Sequence, residues 1–464
     1  MLVALDLTAA FDTVNITTLF KDLLASAIPS GVKRWLTAYL RGRSTYVEFN
    51  GARSNRRKVT QGVPQGGVLS PILFNIYMSK LPDPPANIGV VSYADDISIL
   101  TSGPMIGPLA QHMNGYLDIL ARWLRDRHLT LSTAKSSVTL FTTWNREMTL
   151  PLGVRIEGHE LPLVQQPKLL GVKFDSLHTF AHHAAYCNTK LRQRNNILKK
   201  LAGTTWGCSR EILLTTYKAI GRSVINYGAP IWTPILSQSR WSDLQRRQNA
   251  AMRTISGCHT MTSIDHLHSE CQLLPVKDHN ELLSRQFYLG AHLPNRPDHH
   301  TTTPPAFRTR NLRHTLHSKY NADISVFIPD NGLCYAHYRR GIKAIHCTSV
   351  ADAVQGYTPP VWLGGFPPPA PTVSAAEKQL GRKARSTLAQ LRSGYSSMLN
   401  SYVSRIDPTV ANACPSCQQG PHDTAHLFNC PAHPTQLKVD SLWTQPVAAS
   451  CFLGLNDENI DDDD

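Results

Sequence analysis

The stretch that most constrains this chain is Ser92-Tyr93-Ala94-Asp95-Asp96, set between the apolar runs Ile88-Gly89-Val90-Val91 and Ile97-Ser98-Ile99-Leu100. Two short β-branched runs around a tight turn predict a hairpin with Asp95 and Asp96 at its tip. Adjacent carboxylates repel, and neither is buried without large cost unless a counter-charge is present. The pair is either a solvated acidic turn or the seat of a hard cation. Mg²⁺ takes one or two protein carboxylates and completes its shell with water and substrate phosphate.

Two further segments bear on that choice. Leu2-Val3-Ala4-Leu5-Asp6-Leu7 is an apolar, strand-like run holding one carboxylate, followed by Thr8-Ala9-Ala10-Phe11-Asp12. Asp6 is either a salt-bridged strand end or a partner in the same metal site. Three carboxylates from two segments, converging on a pair of ions, is the arrangement of two-metal phosphoryl and nucleotidyl transfer. The run from Gln61 to Tyr77 begins Gln61-Gly62-Val63-Pro64-Gln65-Gly66-Gly67 and continues into a helix over 70–80, expected to be capped by Ser70 with Pro71 in its first turn. A Gly/Pro-rich loop of this kind lets backbone approach a ligand closely.

In order and spacing, these three segments resemble the palm of reverse transcriptases, in particular those of jockey-type non-LTR retrotransposons (LINE elements). The resemblance is strongest over 1–175. It implies an α+β fold: a palm with a small antiparallel sheet and helices on one face, an α-helical thumb, and a C-terminal helix with a zinc-knuckle-like module. It implies that Asp6 and Asp95 hold two Mg²⁺ ions while Asp96 assists, and that Leu7 lends a backbone carbonyl. Phe11 falls where the family keeps an aromatic under the sugar of the incoming nucleotide, excluding a 2′-hydroxyl by size; otherwise it is a core phenylalanine. Gln61, Gly62, Pro64, Gln65 and Gly66 would position template and nucleotide. Asp12 lies in the motif without being a ligand.

At the end of the run Leu129-Thr130-Leu131-Ser132-Thr133-Ala134-Lys135, ahead of an expected strand Val138-Thr139-Leu140-Phe141, Lys135 stands where the family places a lysine near the leaving pyrophosphate, to donate a proton or neutralise charge; the alternative is a solvated lysine. Pro167 to Asp175 resembles the primer-grip motif. The implied activity is RNA-directed DNA polymerisation. The partners would be an RNA template, a DNA primer or target, and deoxynucleoside triphosphates. Integration would take place in the nucleus and translation in the cytoplasm. In the family a fingers region precedes the first strand, so the chain reads as a C-terminal fragment that starts inside the palm. The alternative is a catalytically inactive nucleic-acid-binding remnant of a retrotransposon polyprotein. A nuclease ranks last, because no downstream acidic cluster resembles an RNase H.

A length of 464 residues allows two or three domains with cores of their own. The formal net charge of +14 and a pI near 9.4 favour a polyanionic partner, although any single cluster, such as Arg53 to Lys58, can be a solvated face. Ten cysteines without a secretory leader suggest a reducing, intracellular setting, in which clustered cysteines bind metal rather than pair. No apolar stretch is long enough to span a membrane. Nothing in the pattern sets an oligomeric state.

The expected organisation is a palm over 1–178, a helical thumb or connection over 179–293, a linker and weakly patterned region over 294–372, a C-terminal helix with a CCHC module over 373–456, and an acidic tail over 457–464. Within the palm, helices are expected over 15–41, interrupted at Pro29-Ser30-Gly31, and from Gly107 to Arg127, with a strand from Ser44 to Asn50. Thumb helices at about 181–202, 209–228 and 239–256 carry Lys190, Arg192, Arg194, Lys199, Lys200, Arg246, Arg247 and Arg253, suited to phosphate contact. Trp206, Trp232 and Trp241 read as core. Leu380, Ala384, Leu388, Leu391, Tyr395, Leu399 and Tyr402 predict one long helix. Its other face carries Lys378, Arg382, Lys383, Arg385 and Arg392, set to meet nucleic acid or water. Beyond it, Cys414 and Cys417 have the spacing of a zinc knuckle turn. His426 and Cys430, four apart, share a helix face and complete a structural Zn²⁺ set; His422 and His433 are the other candidates. An apolar tail, Leu442 to Leu455, follows.

Overall fold

In the computed structural model, four antiparallel strands lie side by side in the order Ser137–Thr139, Leu2–Leu5, Asp96–Thr101, Ile88–Tyr93. The structure describes residues 1–292, 315–324 and 373–455, with short pieces between 340 and 352. The chain divides into two compact units, Met1–His178 and Thr179–Asp464.

In the first unit, Leu2–Leu5 is central, and its continuous apolar run is what a strand covered on both faces requires. Leu2, Val3 and Leu5 are almost wholly buried. The helix Ile106–Asp126 buries the stripe Leu109, Met113, Leu117, Leu120 and Leu124, and Ser70–Met78 buries Leu73, Phe74 and Tyr77. Each such side chain contributes roughly 1.5–3 kcal/mol of hydrophobic stabilisation. Ile16–Ala25 and Ser30–Leu40 are separate helices, since Pro29 cannot continue the first. An ion pair the sequence did not reveal joins Arg127 to Asp22 at 2.6 Å, with both side chains nearly buried.

Two local expectations are corrected. The strand from Ser44 to Asn50 is instead two short pieces of an exposed ribbon. Ser44–Thr45 pairs with Arg57–Lys58, and Glu48–Phe49 with Ala52–Arg53. Ser70 does not cap its helix: it is the first helical residue, and its hydroxyl donates to the Pro64 carbonyl, tying the helix to the Gly-rich loop.

The second unit is helical. Ala181–Leu201, Arg210–Thr216, Gln238–Ser256 and Ile264–Cys271 pack around Leu198, Leu213, Met252, Ile255 and Leu267. The helix expected over 209–228 is interrupted by a π-helical segment, Tyr217–Arg222, followed by Ser223–Asn226. Trp232 and Trp241 stack in the core, rings 5.2 Å apart. Trp206 does not join them. It is 59 % exposed, because it lies in a turn after Leu201 where its indole rests against Gly203. The helix Leu316–Tyr320 packs on Val276–Ala291 through Tyr320, Tyr288 and Leu289. The expected linker over 294–305, most of 306–372 and the acidic tail lie outside the described residues.

The C-terminal part holds the largest corrections. The long helix is two, Arg382–Ser393 and Asn400–Ile406, because Gly394 takes a left-handed conformation at φ 73° and ends the first. Leu388, Leu391, Leu399 and Tyr402 still meet in one core with Phe428, Val439, Leu442 and Ala449. Nor is the basic face open. Arg382, Arg385 and Arg392 are buried, and only Lys378 and Lys383 are exposed. The Arg392 guanidinium meets Glu270 at 3.1 Å and Glu377 at 3.0 Å and donates twice to the Leu442 carbonyl. Arg382 donates to the Gly203, Thr254 and Ile255 carbonyls. Gly257 ends Gln238–Ser256 where a Cβ would stand 2.4 Å from the Ser386 hydroxyl, so only glycine admits this approach. Arg382–Ser393 is therefore an internal helix of the second unit. Among the described residues, no helix is long and apolar enough to cross a membrane.

Candidate active site and Cys/His cluster

Strand register brings the carboxylates together. Leu5 pairs with Ile97 and the strands are antiparallel, so Asp6 follows one partner as Asp96 precedes the other. Tyr93 pairs with Asp96, leaving Ala94 and Asp95 as a two-residue turn with Ala94 at φ 52°. A left-handed alanine is uncommon and stores strain at the tip. Burial, then the charges of Asp95 and Asp6, push the Asp96 carboxyl above its ordinary value. The cluster thus repels itself, which is the condition a divalent cation relieves.

The neighbouring backbone holds Asp6 in place. Its N–H donates to the Ser136 hydroxyl at 3.1 Å and its carbonyl accepts from the Ser132 N–H at 2.9 Å. Lys135, between those serines, reaches the Asp6 carboxylate at 3.7 Å. Sequence reasoning missed both serines; their bonds to Asp6 cross some 130 residues, and no local pattern marks them. Asp6, Asp96 and Lys135 line a groove of about 360 Å³ with Tyr93, Lys168 and Leu170. Leu170 and Gly171 form the turn between the strands Lys168–Leu169 and Val172–Lys173.

The Gly-rich loop docks beside this site. Gly62 and Val63 donate to the Val14 and Phe11 carbonyls, both at 2.8 Å. At Gly62, φ is 80° and a Cβ would stand 2.7 Å from the Asp12 carbonyl oxygen, so a side chain is excluded twice over. Gln65 donates its amide to both Asp12 carboxylate oxygens at 2.9 Å. Gln61 and Gly66 are exposed and Pro64 is half-buried. Phe11 is half-buried and stacks on Phe74, rings 4.5 Å apart. Leu7 is buried and pairs with Leu131.

The sequence of this site has relatives. Residues 1–174 match the family described as reverse transcriptase (RNA-dependent DNA polymerase). The first unit is a reverse-transcriptase domain. The chain is 29 % identical to the probable RNA-directed DNA polymerase from transposon X-element of Drosophila melanogaster, over 59 % of this chain and 30 % of that one. It is 29 % identical to the corresponding protein from transposon BS of the same species, over 60 % and 31 %. It is 27 % identical to the RNA-directed DNA polymerase from mobile element jockey of Drosophila funebris, over 54 % and 28 %. These relatives are RNA-directed DNA polymerases of non-LTR retrotransposons, jockey among them, and the chain is similar to them over little more than half of its length. It spans about 30 % of the length of these relatives.

In the second unit, the ligand atoms of Cys414, Cys417, His426 and Cys430 all lie within 4.8 Å of one another. Asp423 caps the helix Thr424–Asn429 by accepting from the His426 N–H, which orients the histidine. His422 points elsewhere: its Nδ1 accepts from the Asn400 N–H at 3.2 Å. His433 meets the Ser416 hydroxyl. The Cys417 N–H, then the Ser416 N–H, hold the Cys414 thiol below its ordinary value, at about 6. Three sulfurs and one imidazole nitrogen at this spacing fit a tetrahedral Zn²⁺ and leave no position open for substrate.

Two expected outcomes follow from these clusters. Asp96→Asn raises the unfolding midpoint at pH 7 in Mg²⁺-free buffer. A carboxyl whose folded pKa is raised costs stability that is complete above the folded value, fades as pH falls through it, and is gone below the unfolded value. Added Mg²⁺ narrows the difference from wild type, which thermal melts at both conditions check. For a zinc-loaded Cys/His cluster, chelation is expected to lower the midpoint by roughly 10 °C. Cys417→Ser does the same, zinc re-addition rescues only the chelated wild type, and cobalt substitution gives a thiolate charge-transfer absorption in wild type alone.

Proposed function

We propose that this chain carries out RNA-directed DNA synthesis, in which a primer 3′-hydroxyl attacks the α-phosphate of a deoxynucleoside triphosphate and pyrophosphate leaves. The observation that carries the reading is the register that sets Asp6 across from Asp96 at the hairpin tip, within a reverse-transcriptase domain. Asp6 and Asp95 would hold two Mg²⁺ ions, with Asp96 assisting; bound there, the ions supply charge stabilisation for the attacking and leaving oxygens. The other residues orient and neutralise. The 61–66 segment, pinned to the backbone that follows Asp6, would align template and nucleotide. Leu7 would offer its carbonyl, and Phe11, braced by Phe74, would exclude a 2′-hydroxyl by size. Lys135 would neutralise the departing pyrophosphate, a role its 3.7 Å approach to Asp6 supports.

Exposed Arg192, Lys199, Lys200 and Arg246 on the second unit's helices suit the phosphates of a template–primer duplex. Zinc in the Cys/His cluster would be structural. The work of such an enzyme on a genomic target lies in the nucleus, after translation in the cytoplasm. The test is extension of a DNA primer on an RNA template with Mg²⁺, beside a metal-free gel shift on the same hybrid. Extended product is expected. Binding without extension returns the chain to the inactive, nucleic-acid-binding alternative.

A further inference from the structure

The first unit carries an exposed aromatic and basic surface that the chemistry above does not use. The helix Ser30–Leu40 has two apolar stripes. Leu36 and Leu40 enter the core, while Val32, Trp35 and Tyr39, spaced three and four apart, stand 45, 57 and 36 % exposed. The Trp35 and Tyr39 rings stack 6.0 Å apart. The chain then runs into the ribbon over 44–58, whose residues are all exposed, Phe49 by 74 %. A two-stranded ribbon with no packed face is marginal alone in water, and apolar side chains exposed together mark a binding surface. The ribbon sets Arg53, Arg56, Arg57 and Lys58 against a single carboxylate, Glu48. The Arg53 and Arg56 guanidiniums lie over the Tyr46 ring at 5.3 and 5.9 Å. Two contacts join this surface to the Gly-rich loop. Arg43 donates to the Gly62 carbonyl, and the Tyr39 hydroxyl stands 3.4 Å from where a Gly67 Cβ would be.

We infer that this surface binds a single-stranded stretch of polynucleotide, its bases stacked on Trp35 and Phe49 and its phosphates met by the ribbon's guanidiniums. Flat aromatics need unpaired base faces, which a duplex hides, and the cations need a polyanion. The inference rests on the polymerase reading in one respect: adjacency to the 61–67 loop makes the bound strand the template.

The test is anisotropy of labelled oligo-U, oligo-dT and a matching duplex of about 16 nucleotides, on the full chain without divalent metal. Trp35→Ala with Phe49→Ala should weaken single-strand binding about a hundredfold, tenfold per aromatic, and duplex binding less than about twofold. Arg56→Ala with Arg57→Ala should lower the salt dependence by one to two phosphate contacts' worth, roughly. All four side chains are exposed, so unchanged circular dichroism and melting certify the fold. Unchanged single-strand affinity, or equal loss on single strand and duplex, overturns the proposal. So does light scattering that shows wild-type dimers undone by the aromatic pair, which would make the face a contact between copies. DNA bound more than about tenfold better than RNA overturns the template assignment. Failure of the polymerase reading is distinguishable, because it removes extension while leaving these affinities in place.

Discussion

Replacing Asp95 by alanine is expected to lower the rate of primer extension by about a thousandfold, about 4 kcal/mol of lost transition-state stabilisation. Asp6→Ala should match it. The two acids come from different segments and are proposed to serve the same ions, so the double variant should lose little beyond either single change. Gel shifts on the template–primer hybrid check that binding survives in all three. The turn tolerates alanine at 95, because Asp95 lies in the two-residue loop between paired Tyr93 and Asp96 and contributes no core surface. Extension that persists in Asp95→Ala places the chemistry elsewhere.

The second large effect lies in the helical unit. Arg392→Ala is expected to cost about 3–5 kcal/mol of stability, because it strands Glu270 and Glu377 inside the protein without their guanidinium. Burial alone would push the Glu270 carboxyl up; Arg392, His266 and Arg210 instead hold it down at about 2. A depressed carboxyl contributes stability that is complete above its unfolded value, near 4.5, and is lost as pH falls toward 2. Urea unfolding of the full chain between pH 7 and pH 3 should show that loss in wild type and less of it in Arg392→Met with Glu270→Gln. That double change should also cost less than its two parts added. Additive losses exclude the coupling.

These two sites were legible to different degrees. The hairpin of Asp95 and Asp96, the strand of Asp6 and the loop from Gln61 are written in local pattern: short β-branched runs, one acid in an apolar strand, and glycines where a Cβ has no room, as at Gly62. The spacing of His426 and Cys430 likewise picks out the imidazole that joins the sulfurs. Periodicity also marked Arg382, Arg385 and Arg392 as one face, but not what covers it. Arg392 meets Glu270 across 122 residues, and Arg382 meets the Ile255 carbonyl across 127. A helical repeat is blind to contacts at that distance, and it runs through Gly394 because one left-handed residue leaves the spacing of leucines intact.

What the sequence by itself determined is which residues share a strand, a turn or a helix face, since steric and hydrophobic preferences act within a few positions. Which of those faces meet water, and which charges are spent on partners inside the protein, only the tertiary structure decided. Arg392 and Arg57 are the same side chain in sequence. One is enclosed by carboxylates brought from elsewhere in the chain and the other stands in solvent, because burial and pairing belong to the packed assembly of segments and not to any one of them.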